Sequence, residues 1–254
     1  MKQLLICDEC RVKEVTPFCR AVGAGIEVQA FYDPRVVENT PAAVEEHRQA
    51  IRGILPVSVH GCFGDLCPGS FDSLVRQVAR QRIEQSYAVA VNLGASHLVL
   101  HHGYAPHTSP PAGWIKRSTE FWRNFLDGKS ASIRVHLENM LELDPDLISD
   151  VVQSIGRDNL DVNLDIGHAH CNSKTNVVKW VERLGDQIGY VHLHDNHGTN
   201  DDHLGLGQGT IPIKEVCQAL NEHAPEAIWA VESEGDGMRQ SLDWLKENGF
   251  LGKG

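Results

Sequence analysis

A (βα)₈ TIM barrel of the α/β class, one domain over residues 1–254, is the architecture this chain predicts, and three observations carry it. The chain is 254 residues long, close to the roughly 250 typical of such a barrel. Short β-branched runs alternate with longer helical patterns throughout, and eight βα units in strict order predict a closed parallel sheet. Histidines and carboxylates recur at the C-terminal ends of those runs, where barrel strands converge on one mouth.

The strands are expected at residues 2–7, 26–31, 56–60, 97–101, 133–138, 162–165, 189–192 and 228–232. Between them the apolar spacing is three and four, as in Phe71, Leu74, Val75 and Val78, or Ile213, Val216, Cys217 and Leu220. Gly94, Gly156, Gly185 and Gly249 each follow a periodic stretch and read as helix stops. An open doubly wound sheet is the rival, but no Gly-rich phosphate loop follows the first strand. No linker or repeat divides the chain.

Composition narrows the function classes. With 34 acidic residues against 23 basic ones, the net charge of −11 lacks the basic footprint of nucleic-acid binders. No apolar run approaches the ~20 residues of a membrane span. The first residues meet Asp8 too early for a signal peptide, so a cytoplasmic location is expected. Seven cysteines without a disulfide rhythm read as reduced thiols, and Cys7-x-x-Cys10 has no second pair to build a zinc site. Fourteen histidines are the unusual feature.

Six candidate ligands end six successive strands: His60, His101, Glu138, Asp165, His192 and Glu232. Taken singly, each has an ordinary structural explanation, such as a helix cap or a core histidine bonded to backbone. Together at one level of a barrel they would repel or shift their pKa values without a cation, which predicts a divalent metal. A second group surrounds them. His168 follows Asp165, and Asp201 and His203 lie in the Gly-rich segment after His192. His170, His194 and His197 read as ordinary polar loop residues, and Arg35 as a solvated charge at a helix start.

These segments resemble the xylose isomerase-like barrel superfamily, which includes sugar-phosphate isomerases and epimerases as well as DNA endonuclease IV. The resemblance lies in the order and spacing of Val57-Ser58-Val59-His60-Gly61, Leu98-Val99-Leu100-His101, Val135-His136-Leu137-Glu138-Asn139, Leu164-Asp165-Ile166-Gly167-His168-Ala169, Val191-His192-Leu193-His194-Asp195-Asn196 and Ala230-Val231-Glu232. Similarity to the epimerases implies Glu138, Asp165, His192 and Glu232 as the core metal ligands. It also implies Glu138 and Glu232 as the acid–base pair and His168 as a contact to a substrate oxygen. A chelated ketose has an acidified C–H, and one carboxylate removes the proton while the other returns it. Similarity to endonuclease IV implies the further ligands of three zinc ions at His60, His101, His168, Asp201 and His203. The chain departs from the ketose 3-epimerases at Gly198, where they carry Arg, and after Glu138, where their Asn-Arg pattern is missing.

The expectation is a metal-dependent isomerase or epimerase acting on a small carbohydrate substrate: a sugar, sugar phosphate or polyol. A zinc phosphodiesterase acting on abasic DNA and a non-catalytic sugar-binding barrel are the alternatives. The donor set admits Mn, Mg, Co or Zn. Nucleic acid and membrane partners are disfavoured, and apolar faces on the outer helices permit a homo-oligomer.

Overall fold

A computed structural model describes residues 2–38 and 40–251. Eight parallel strands close into a barrel in the order of the sequence, β1 pairing with both β2 and β8. They are β1 (Leu4–Cys7), β2 (Gly25–Val28), β3 (Val57–His60), β4 (His97–His101), β5 (Arg134–Glu138), β6 (Leu160–Asp165), β7 (Ile188–Leu193) and β8 (Ile228–Val231). The strand residues are almost all buried, as a parallel sheet covered by helices requires. The helices are α1 (Val12–Val22), α2 (Pro34–Glu38), α3 (Thr40–Ala50), α4 (Ser73–Leu93), α5 (Pro111–Leu126), α6 (Asp146–Ile155), α7 (Ile166–Asn172), α8 (Val177–Leu184), α9 (Ile213–His223) and α10 (Gly237–Glu247).

The glycine stops hold. Gly94 and Gly156 cap α4 and α6 in the left-handed conformation that a Cβ disfavours, and Gly185 follows α8. Gly249 lies two residues past α10. The α9 face of Ile213, Val216, Cys217 and Leu220 is buried as expected.

Two expectations need correction. The second strand stops at Val28, and Phe31 belongs to a 3₁₀ turn, Ala30–Tyr32, that turns the chain away from the barrel wall. The apolar series at Phe71, Leu74, Val75 and Val78 does not face the barrel. Phe71 is 86% exposed and Leu74 68%. The packed side of α4 instead runs through Ala79, Ile83, Ser86, Tyr87 and Ala90. No described helix is long and apolar enough to cross a membrane. All seven cysteines are free, Cys7 buried and Cys10 exposed.

Candidate metal centre

The barrel places the strand-terminal ligands by register. His101 of β4 pairs with Glu138 of β5, and Asp165 of β6 pairs with His192 of β7. His60 ends β3, and Glu232 follows directly after β8. The Glu138 carboxylate sits at the middle. His60 Nε2 is 3.3 Å and His101 Nε2 3.4 Å from it, while His192 Nδ1 is 3.5 Å away. That same Nδ1 lies 3.6 Å from Asp165 and 3.1 Å from Glu232. Asn163 steadies Glu138 with an amide hydrogen bond of 3.1 Å.

The remaining ligands come from α7 and the segment between β7 and α9. Asp165 caps α7 by accepting from the His168 backbone N–H at 2.6 Å, which fixes His168 one turn into the helix. The Asp201 carboxylate is then shared between His168 Nε2 at 3.1 Å and His203 Nε2 at 3.0 Å. The segment carrying Asp201 and His203 is pinned by Asp195. Its carboxylate accepts the backbone N–H groups of Asn196, Gly207, Gly209 and Ile211 at 2.9–3.1 Å. Gly209 is required there, because a Cβ would fall 2.4 Å from the Asp195 carboxylate.

All nine candidate ligands therefore meet at one mouth, in three adjoining sets. One set is His60, His101 and Glu138; another is Glu138, Asp165, His192 and Glu232; the third is His168, Asp201 and His203.

The rings are oriented before any ion arrives. His60, His168 and His203 each place Nδ1 2.9–3.0 Å from a backbone carbonyl, of Gly61, Asn139 and Glu232 respectively. An Nδ1–H donated there leaves Nε2 free as a ligand atom. Burial pulls His101 down to about 3, keeping it neutral, and its Nδ1 has no hydrogen-bond partner among the described residues. For His168 and His192 burial acts downward too, but the facing carboxylates outweigh it and raise both well above the usual imidazole range. His203 rises to about 10 against the same burial through its bond to Asp201. Burial works upward on Glu138 and Asp165, yet the surrounding histidines hold both well below the usual carboxylate range. Without a metal, protonated histidines balance the carboxylates. Imidazole and carboxylate donors in this arrangement fit divalent cations, which would take the place of those protons.

Residues outside the expected set also matter. His194, expected to be an ordinary loop histidine, is fully buried. Its Nε2 lies 3.1–3.2 Å from both Asp165 oxygens, and its ring stacks on His203 at 4.2 Å. Gly167 makes room for it, since a Cβ there would come 2.0 Å from the His194 ring. Glu27, inside β2, is fully buried beneath the centre. His170 is half-buried and bonds Thr210, while Arg35 is exposed and pairs with Asp33, both in keeping with ordinary roles.

A cavity of about 420 Å³ opens over the ligands. Phe63 stacks on His101 at 4.1 Å and Tyr32 on Phe63 at 5.6 Å, giving it an aromatic wall. Glu9 and Glu234 also border it, and no lysine or arginine does among the described residues.

A family model described as xylose isomerase-like TIM barrel matches residues 18–248. A protein of Mycobacterium leprae described as probable endonuclease 4 is 26% identical over 205 residues, covering 76% of this chain and 79% of its own length. The structure of a Thermus thermophilus protein, TTHB071, soaked with zinc chloride, superposes with a TM-score of 0.80. It is 26% identical and covers 99% of each chain. A D-tagatose 3-epimerase-like protein superposes with a TM-score of 0.76 at 24% identity, covering 98% of this chain and 97% of that one, which is a likeness of fold.

Proposed function

Since the chain belongs to the xylose isomerase-like TIM barrel family, we propose that it is a multinuclear metal-dependent enzyme that hydrolyses a small phosphoester. The observation that carries this reading is the meeting of nine candidate ligand side chains in three sets, two sharing Glu138 and the third touching it through His168 at 3.3 Å. A single-ion proton transfer needs only Glu138, Asp165, His192 and Glu232. It leaves the carboxylate held between His168 and His203, and the pair His60 and His101, without a task. The likeness to a probable endonuclease 4 and to a zinc-soaked structure supports the same direction.

Electrostatics connects ion number to substrate. The ligand carboxylates Glu138, Asp165, Asp201 and Glu232 carry four negative charges; two divalent ions cancel them, and a third leaves a positive site that attracts phosphate. Divalent ions here would supply Lewis acidity toward a phosphoryl oxygen and lower the pKa of water. The chain's own residues hold that centre rigid: Glu138 joins two sets, Asp195 fixes the segment of Asp201 and His203, and Phe63 and Tyr32 wall the cavity. A long polyanion fits poorly. Glu9 and Glu234 at the rim and the net charge of −11 repel a duplex, so the substrate is a small molecule.

A second reading has its own observation: among the described residues no lysine or arginine lines the cavity, which suits an uncharged sugar. With one ion bound, Glu138 and Glu232, both beside His192 Nδ1, would exchange a proton with a ketose as an isomerase or epimerase.

The deciding experiment is elemental analysis of protein purified without chelators, followed by assays on bis(p-nitrophenyl) phosphate, sugar phosphates, abasic DNA and free ketoses. Two or three ions per chain are expected, with phosphoester hydrolysis that drops by about 10² or more in Asp201→Asn. One ion per chain, with ketose turnover that survives Asp201→Asn, would replace hydrolysis by the isomerase reading.

A further inference from the structure

His192 differs from the other oriented histidines of the centre. His60, His168 and His203 lean on backbone carbonyls and turn Nε2 inward. His192 is reversed: Nδ1 faces Asp165, Glu138 and Glu232, and Nε2 points down into the barrel. What meets it there is the carboxylate of Glu27, 3.0 Å away.

Glu27 is held as firmly as the ring it faces. One oxygen accepts from Tyr190 Oη at 2.8 Å and Ser58 Oγ at 3.1 Å; the other faces His192 and, at 3.6 Å, the Cys7 thiol. These partners come from β1, β3 and β7, so four strands converge on one carboxylate. It has no exposed surface and does not line the cavity above. An ionised side chain placed so deep is costly unless each oxygen is paired, and here both are.

From this geometry we infer that Glu27 is a positioning residue of the metal centre, which keeps a proton on His192 Nε2 and so presents Nδ1 as the ligand atom. A carboxylate behind a ligating imidazole both fixes the ring and raises its basicity, and losing such a partner costs 10–100-fold in metal affinity. Tyr190 and Ser58 set Glu27 in turn. The inference rests on the metal-centre reading and adds to it a residue that touches neither ion nor substrate.

The test is zinc titration of the full chain against a chromophoric chelator for wild type, Glu27→Gln and Tyr190→Phe. The unfolding temperature of each metal-free protein is measured alongside. In Glu27→Gln one class of site weakens about 10–100-fold while the others keep wild-type affinity. The visible bands of the cobalt-loaded variant also shift, because the ligand behind them has changed basicity. Tyr190→Phe shows a smaller loss at the same site. Unchanged affinity at every site in Glu27→Gln would overturn the inference. So would an equal loss at all sites with a lower metal-free unfolding temperature, which marks a purely structural buried charge. A wild-type chain that takes up no zinc or cobalt would overturn the metal centre itself, and the inference with it.

Discussion

Asp8, just past β1, shows how much a single buried carboxylate determines. One of its oxygens accepts the backbone N–H groups of Cys10 and Gln29 at 2.9–3.0 Å; the other has no partner among the described residues. Burial raises its pKa to about 6. The folded-state value lies above the unfolded one near 3.9, so its stabilising contribution is complete below about pH 4 and is lost as pH rises through 6. Asp8→Asn keeps the accepting oxygen and removes the charge. It is expected to stabilise the chain by about 2–3 kcal/mol at pH 7 and by little at pH 4, read from urea unfolding at both values. A difference that does not vary with pH would show that the charge is not the cause. At this scale the sequence is legible where a polar residue ends a strand. Glu27 escaped notice because it sits inside Gly25-Ile26-Glu27-Val28, where nothing marks an inward acid. His194 was hidden by its neighbours: Asp195, Asn196 and His197 read as a polar loop, yet the first two are buried with it.

At the scale of an element, α4 separates periodicity from burial. Phe71, Leu74, Val75 and Val78 carry the stronger hydrophobic signal, but the helix begins at Ser73 and its inward phase is set further along, by Ala79, Ile83 and Ala90. Small residues pack closely against a barrel wall and give only a faint apolar pattern, so the sequence pointed to the wrong face. The strands were easier to read, since parallel strands buried on both sides show as continuous β-branched runs. Their ends are less legible: β2 is shorter than its run, since the chain enters the 3₁₀ turn at Gln29, whose side chain reaches Glu232 in a contact no local pattern encodes. The assignment of faces makes a paired prediction. Val78→Lys, at 54% exposure, should change stability by less than about 0.5 kcal/mol. Ile83→Ala, at 1% exposure, should cost about 2–5 kcal/mol. Thermal unfolding of the two variants checks this, and the opposite ranking would mean that α4 is rotated from the arrangement described.

For the molecule as a whole, the closed barrel and the proposed metal centre are parts of one design. The nine candidate ligands come from β3 through β8 and from the chain segments that follow them, so most of the barrel's circumference contributes to one cluster. A cation bound there ties together parts of the chain far apart in sequence, and it binds the folded form because the unfolded chain has no such array. At a hundredfold excess over its Kd, each site adds about 2.7 kcal/mol. For a chain of about 250 residues each kcal/mol moves the midpoint about 2–4 °C, so one site raises it roughly 5–10 °C. Zinc or manganese added to chelator-stripped protein is therefore expected to raise the unfolding temperature by about 5–10 °C for one ion and by clearly more for two or three. A chelator should reverse the whole shift. The size of the rise separates the two functional readings without any substrate. A single-site increment, unchanged in Asp201→Asn, fits a centre built for proton transfer. A larger rise that Asp201→Asn cuts back by one increment requires ions beyond the four-ligand set, which the phosphoester reading needs and the proton-transfer reading does not.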